Sequence, residues 1–350
     1  MTDVSGDFEA LLVLSFGGPE GPDDVIPFLE NVTRGRGVPP ERLAEVAGHY
    51  GHFGGISPIN ARNRELVAAV SELTELPVYF GNRNWHPLVE DTVAEMALHG
   101  VRRALVFATS AFGGYSACRQ YHEDIARARA VVGQAAPELV KLRHFFDHPE
   151  FVAAVADGVR AARAELGAAG DKARLVFTAH SVPTAADAAA GTASDGGRWY
   201  SRQVREAARL VARQVGVPEY DVVWQSRSGP PSVPWLAPDV CDHLDVVHAA
   251  GAMAVLVCPV GFVSDHLEVV WDLDSEARAR AAELGLGFAR AATAGTHPGF
   301  ARMVVELVAE HTSGTPPRAL GAVPSAGCGM NGVPCAPDCC RSVRPTRLNR

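Results

Sequence analysis

The chain has 350 residues, 47% of them hydrophobic, and a formal net charge of −8. That length suits about two domains with sizeable cores, and the acidic balance argues against nucleic acid, whose phosphates need clustered Lys and Arg. No apolar run approaches the ~20 residues of a membrane-spanning helix, and the opening MTDVSGDFEA has neither the basic nor the apolar region of a signal peptide, which points to the cytoplasm.

Short β-branched apolar runs with Gly- or Pro-rich exits alternate with longer amphipathic stretches. This predicts an α/β fold of parallel sheets flanked by helices. In the first half, strands are expected at Leu11–Ser15, Val78–Gly81, Ala104–Thr109 and Val140–Phe145, with a helix over Pro87–Leu98. In the second half, strands are expected at Leu175–His180, Val222–Ser226, Ala254–Val260 and Gly287–Arg290. The helices there are Pro149–Leu166, Ser201–Val215 and Pro298–His311, the first carrying Phe151, Val152, Val155 and Val159 on one face. Two helices open alike, on His148-Pro-Glu-Phe151 and His297-Pro-Gly-Phe300. Proline suits a first helical position, so the repeat fits either two similar α/β units or a common helix start. Ala185–Gly197 is small and polar, and the tail from about Thr312 is rich in Gly, Pro and Cys. Both are expected to be mobile, the tail until a ligand orders it.

Ligands of open parallel sheets bind beyond the carboxyl ends of the strands, so those exits carry the functional reading. The first exit, Ser15-Phe-Gly-Gly-Pro19, lacks the spacing of a dinucleotide fingerprint or a phosphate loop. The fifth, Phe177-Thr-Ala-His-Ser-Val-Pro183, places His180 toward a cleft, as a metal or proton acceptor or as a hydrogen-bonded structural residue. After the seventh strand, Glu268, Asp272 and Glu276 recur every four residues and would stack on one α-helical face. Such a row is either a solvated acidic face or one relieved by a cation or by exchangeable protons. Its place beyond a buried strand, beside Asp265 and His266, favours function. Four cysteines crowd into residues 328 to 340, which in a reducing compartment suggests metal or cluster ligation. Cys241 and Cys258 read as buried apolar residues.

Six blocks in order then make the chain recognisable: LVLSFGGP (Leu12–Pro19), GGISPI (Gly54–Ile59), TAHSVP (Thr178–Pro183), WQS (Trp224–Ser226), PWL (Pro234–Leu236) and SDHLE (Ser264–Glu268). From about Ala10 to Val308 it resembles the ferrochelatases. GNRNW (Gly81–Trp85) and the tail cysteines are most like the bacterial coproporphyrin III branch. The resemblance implies two Rossmann-like domains, 7–148 (completed by helix 298–311) and 149–297, clasping a porphyrin, with a Cys-rich tail, 312–350. It implies insertion of Fe2+ into coproporphyrin III to give coproheme in heme biosynthesis. His180 matches the metal-binding, proton-accepting histidine, Glu268 its carboxylate partner, and Asp272 and Glu276 an acidic relay. Ser57 and Tyr121 match positions that contact the porphyrin. Phe16 stands where some relatives have an iron-coordinating tyrosine, and is expected to pack on the macrocycle or in the core. Cys118, Cys328, Cys335 and Cys340 match the ligands of a [2Fe-2S] cluster, and a four-thiolate zinc site is the competing reading. Arg34, Arg36 and Asn60 are candidate donors to the extra propionates of coproporphyrin. A monomer in transient contact with neighbouring heme-pathway enzymes is expected. Protoporphyrin IX as substrate, a non-catalytic tetrapyrrole- or metal-binding role, and a cobalt or nickel chelatase remain open.

Overall fold

A computed structural model describes residues 7–35, 37–323 and 325–343. Arg36 and residues 344–350 of the expected tail lie outside the described residues.

The first sheet holds β1 (Ala10–Ser15), β2 (Val78–Asn82), β3 (Arg103–Ala108) and β4 (Glu138–Lys141), in the order β2-β1-β3-β4 and all parallel. The second holds β5 (Arg174–His180), β6 (Tyr220–Gln225), β7 (Ala254–Cys258) and β8 (Gly287–Arg290), parallel in the order β6-β5-β7-β8. Both faces of each sheet are covered, which is why the strands read as continuous apolar runs. Along β1, Leu11 and Val13 face one core while Ala10, Leu12 and Leu14 face another, built on helices Val89–Leu98 and Gln120–Val132. This is the period of two that a strand imposes.

The larger core is common to both sheets. Helices Pro149–Glu165, Trp199–Val215 and Pro298–Thr312 contribute Phe151, Val204 and Phe300 to a cluster that also holds Leu105 of β3 and Phe177 of β5. Phe145 is its hub, with ring centroids 5.1 Å from Phe107 and 5.7 Å from both Phe151 and Phe300. Truncating one such phenylalanine to alanine costs about 3–5 kcal/mol.

Several sequence expectations are revised. The repeated His-Pro opening is a capping device: His148 Nδ1 accepts from Glu150 N at 3.3 Å and His297 Nδ1 from Gly299 N at 3.0 Å. The fourth strand ends at Lys141, not Phe145, because the chain beyond it turns to the tail, His144 N donating to Ala326 O at 2.7 Å. The tail adds a short strand, β9 (Gly329–Met330), antiparallel to β4. The stretch Ala185–Gly197 is organised by helix Thr184–Ala188. Its buried Asp187 accepts from Ser201 N and Oγ at 3.0 and 2.8 Å. Among the described residues, no helix is long and apolar enough to cross a membrane.

Candidate active site

His180 closes β5 in register with Gln225 at the end of β6. Its Nδ1 lies 2.5 Å from the Ser181 carbonyl. A carbonyl can only accept, so Nδ1 carries the hydrogen and Nε2 is left to face Glu268. Nε2 lies 3.4 Å from Glu268 Oε2. Burial presses the imidazole toward its neutral form, but the hydrogen bond and charge of Glu268, the Ser181 carbonyl and Asp272 prevail, and its pKa rises. Gly261 allows this approach: a Cβ there would lie 2.4 Å from Ala179 Cβ, so the loop leading to Glu268 can press onto β5.

Glu268 begins a helical run whose middle, Val270–Ala277, is π-helical, not α-helical as the spacing suggested. The wider turn still keeps residues four apart as neighbours. Arg290 of β8 pins it, reaching both Asp274 oxygens at 2.8 Å and Asp265 at 3.0 Å. Asp265 is thus structural, as is His266, whose Nδ1 accepts from Val269 N at 3.4 Å. Asp272 accepts from Gln225 Nε2 at 3.1 Å and from the Ser226 hydroxyl. Burial first, then the charges of Glu268 and Glu276, push its carboxyl up to about 7 against those two donors. Glu276 is exposed and accepts from Trp271 Nε1 at 2.9 Å. The row therefore sets a carboxyl that burial raises toward neutrality, Asp272, between two exposed carboxylates, the histidine-paired Glu268 and Glu276.

Helices Val25–Thr33 and Pro40–His52 pack over this run. Trp271 stacks on His49 with centroids 4.0 Å apart, and Phe16 sits edge-on to Phe28 at 6.4 Å in a cluster that includes Leu267. Burial, with the charge of Glu268, raises the Tyr50 pKa. The structure thus brings His180, Glu268 and Asp272 together and sets Phe16 in the wall beside Leu267. Ser57 and Tyr121 are buried, Ser57 against Gly18 and Tyr121 beneath Arg83, whose guanidinium lies 4.4 Å from its ring centroid. The SFGGP glycines serve packing: a Cβ on Gly18 would lie 2.7 Å from Ser57. Asn60 is not a free donor, since its buried amide donates to the Gly18 and His86 carbonyls, each at 3.1 Å. Arg34 instead lines a cavity of about 990 Å³ with Arg83, Asn84, Trp85, Tyr115 and Arg127. Sequence reasoning quoted the WQS block without assigning Gln225 and Ser226 to Asp272, and it missed the His49–Trp271 stack.

Farther along, the tail folds back on the body. Cys340 Sγ accepts from Gly114 N and Gly191 N, both at 3.2 Å. Cys339 Sγ lies 3.4 Å from Cys335 Sγ and 3.5 Å from Cys340 Sγ. Its hydrogen bonds bring the Cys335 thiol down to about 6 and that of Cys340 to about 7, while Cys339 itself is raised. Burial pushes Cys118 up to about 11, and the charges of Cys340, Cys335 and Cys328 add to this. The set supplies the thiols a cluster needs; the thiolate being the ligating form, Cys335 and Cys340 are readied, whereas burial opposes it at Cys118 and Cys339 holds the proton. Among the described residues, no three His, Cys, Asp or Glu side chains are gathered to hold a single metal ion. Cys258 is buried as expected, and Cys241 is only half-buried.

A sequence model of the ferrochelatase family matches residues 8–312. The chain is 67% identical over 342 residues to the coproporphyrin III ferrochelatase of Nocardia farcinica, covering 96% of this chain and 97% of that protein. It is 60% identical over 341 residues to the coproporphyrin III ferrochelatase of Mycolicibacterium smegmatis, covering 95% and 99%. In fold it is similar to SirB from Bacillus subtilis with Fe3+, with a TM-score of 0.57 at 12% identity, covering 88% of this chain and 97% of that one. The sirohydrochlorin chelatase SirB from Bacillus subtilis subspecies spizizenii, in complex with cobalt, gives a TM-score of 0.53 at 14% identity, with the same coverage.

Proposed function

The chain belongs to the ferrochelatase family, and we propose that it inserts ferrous iron into coproporphyrin III, giving coproheme and releasing two protons. The observation that carries this reading is identity of 67% and 60%, over nearly the whole chain, to two proteins that bear that activity in their names. The reaction belongs to heme biosynthesis. We place it in the cytoplasm and assign it to a monomer, in transient contact with the enzymes before and after it.

The geometry around His180 supports this reading. Metallation needs a base for the pyrrole protons and a weak set of nitrogen and oxygen donors that will release iron to the macrocycle. With Nδ1 held by Ser181, the Nε2 lone pair is the base, and the imidazolium formed is stabilised by Glu268 at 3.4 Å. Asp272 can hold a proton near neutral pH and pass it toward exposed Glu276. His180 and Glu268 are the metal-handling pair, and Phe16 packs on the porphyrin without supplying an axial ligand. Ser57, Tyr121 and Arg34 serve the porphyrin carboxylates.

Cys118, Cys328, Cys335 and Cys340 would hold a [2Fe-2S] cluster, and the paired N–H donors on Cys340 Sγ suit a ligating thiolate. Such a cluster supplies a one-electron centre and ties the tail to the body.

Anaerobic turnover with Fe2+ and either coproporphyrin III or protoporphyrin IX, at matched concentration, tests the substrate. Coproporphyrin should be strongly preferred, and preference for protoporphyrin would overturn that assignment.

A further inference from the structure

Lys141 ends β4 with 2% of its surface exposed. Its Nζ donates to the Gly327 carbonyl at 2.8 Å and to that of Leu142 at 3.2 Å, and among the described residues no carboxylate pairs with it. Taking an ammonium out of water without a counter-charge costs several kcal/mol. A fold that keeps one there points to an anion beside it. The other cation near the thiols, Arg119, reaches the Cys339 carbonyl at 3.2 Å and already has Glu123 at 3.8 Å.

The Gly327 carbonyl, next to Cys328 in sequence, is where the surroundings converge. Besides Lys141 it meets His122 Nε2 at 3.1 Å and Cys118 Sγ at 3.9 Å. Lys141 also stands opposite Gly329 in the β4–β9 pairing, so backbone pairing fixes the tail beside the residue that carries the charge. The charge of Lys141 acts on both Cys118 and Cys335, thiols about 220 residues apart in sequence.

We propose that Lys141 is the buried counter-cation of the thiolate-bound cluster, positioning the tail through Gly327 and offsetting the cluster's negative charge. This rests on the reading that these four thiols hold a [2Fe-2S] cluster. Four thiolates leave such a cluster net negative, and charge nearby sets its reduction potential.

The test uses full-length protein purified anaerobically, with iron and sulfide assays, visible spectroscopy and spectroelectrochemistry. Lys141→Gln keeps a donor for Gly327 but removes the charge, and Lys141→Arg keeps the charge. The Gln variant should show a lower midpoint potential and roughly 10- to 100-fold weaker iron retention against a chelator. In the metal-free state it should be as stable as wild type or more so, because an unpaired buried charge is gone. A loaded Gln variant with unchanged potential overturns the proposal. If the Gln variant folds but does not load, loading of the Arg variant supports a role for charge, and its failure overturns it. Should the Gln variant not fold at all, a loaded Arg variant whose potential departs from that of Lys141→Met supports the role, and equal values, or a Met variant as stable and as fully loaded as wild type, overturn it. A colourless wild type without iron and sulfide removes the cluster reading itself, and this proposal with it.

Discussion

Replacing Asp272 with Asn isolates the energetic cost of the acidic relay. The Asp272 carboxyl is held at about 7 instead of the ordinary 3.8, through burial first and then the charges of Glu268 and Glu276. At ~1.4 kcal/mol per pH unit, its ionised form costs the fold on the order of 4 kcal/mol above pH 7. The sign follows from the raised value: the cost is absent below pH 3.8, grows up to about pH 7, and is constant beyond. Asp272→Asn keeps an oxygen for Ser226 and Gln225 but cannot ionise. Urea unfolding at pH 8 should therefore find the variant more stable than wild type by about 2–4 kcal/mol, the gap narrowing to about 1 kcal/mol near pH 4.5. Turnover should fall about 10- to 100-fold while porphyrin binding is kept. A stability gap that does not change with pH, or a wild type more stable at pH 8, would refute the reasoning.

Three further outcomes are expected. Glu268→Gln removes the largest of the influences that raise the His180 pKa, so the acid limb of the pH–rate profile should move to lower pH as turnover drops; a limb that stays in place contradicts the pairing. Cys340→Ser loses the thiolate that Gly114 and Gly191 donate to, and should abolish bound iron and sulfide, whereas Cys339→Ser should retain both on elemental assay. At Gly327, with φ of +92°, a Cβ would sit 2.2 Å from His144 Nε2. Gly327→Ala should lower stability by about 1–3 kcal/mol in denaturant titration.

The strands were legible because each is buried on both faces and so reads as an unbroken apolar run. Boundaries slipped where tertiary pairing took over, as at Lys141, where the tail captures His144. Periodicity identified the acidic row but not its π-helical turn, since spacings of four suit both geometries and the pinning by Arg290 comes from another strand. His180 and Glu268 are 88 positions apart and meet only through the β5–β7 pairing and the close approach of Gly261. No local pattern encodes that. Lys141 did carry a local signal, a lysine inside the apolar run Leu139–Leu142.

The most direct test of the central claim is single-turnover metallation of coproporphyrin III by anaerobic Fe2+, comparing wild type with His180→Ala, with porphyrin binding followed separately by fluorescence. The account predicts that the variant binds coproporphyrin as wild type does while metallation slows by about 10²- to 10⁴-fold. A variant that inserts iron at the wild-type rate would contradict it.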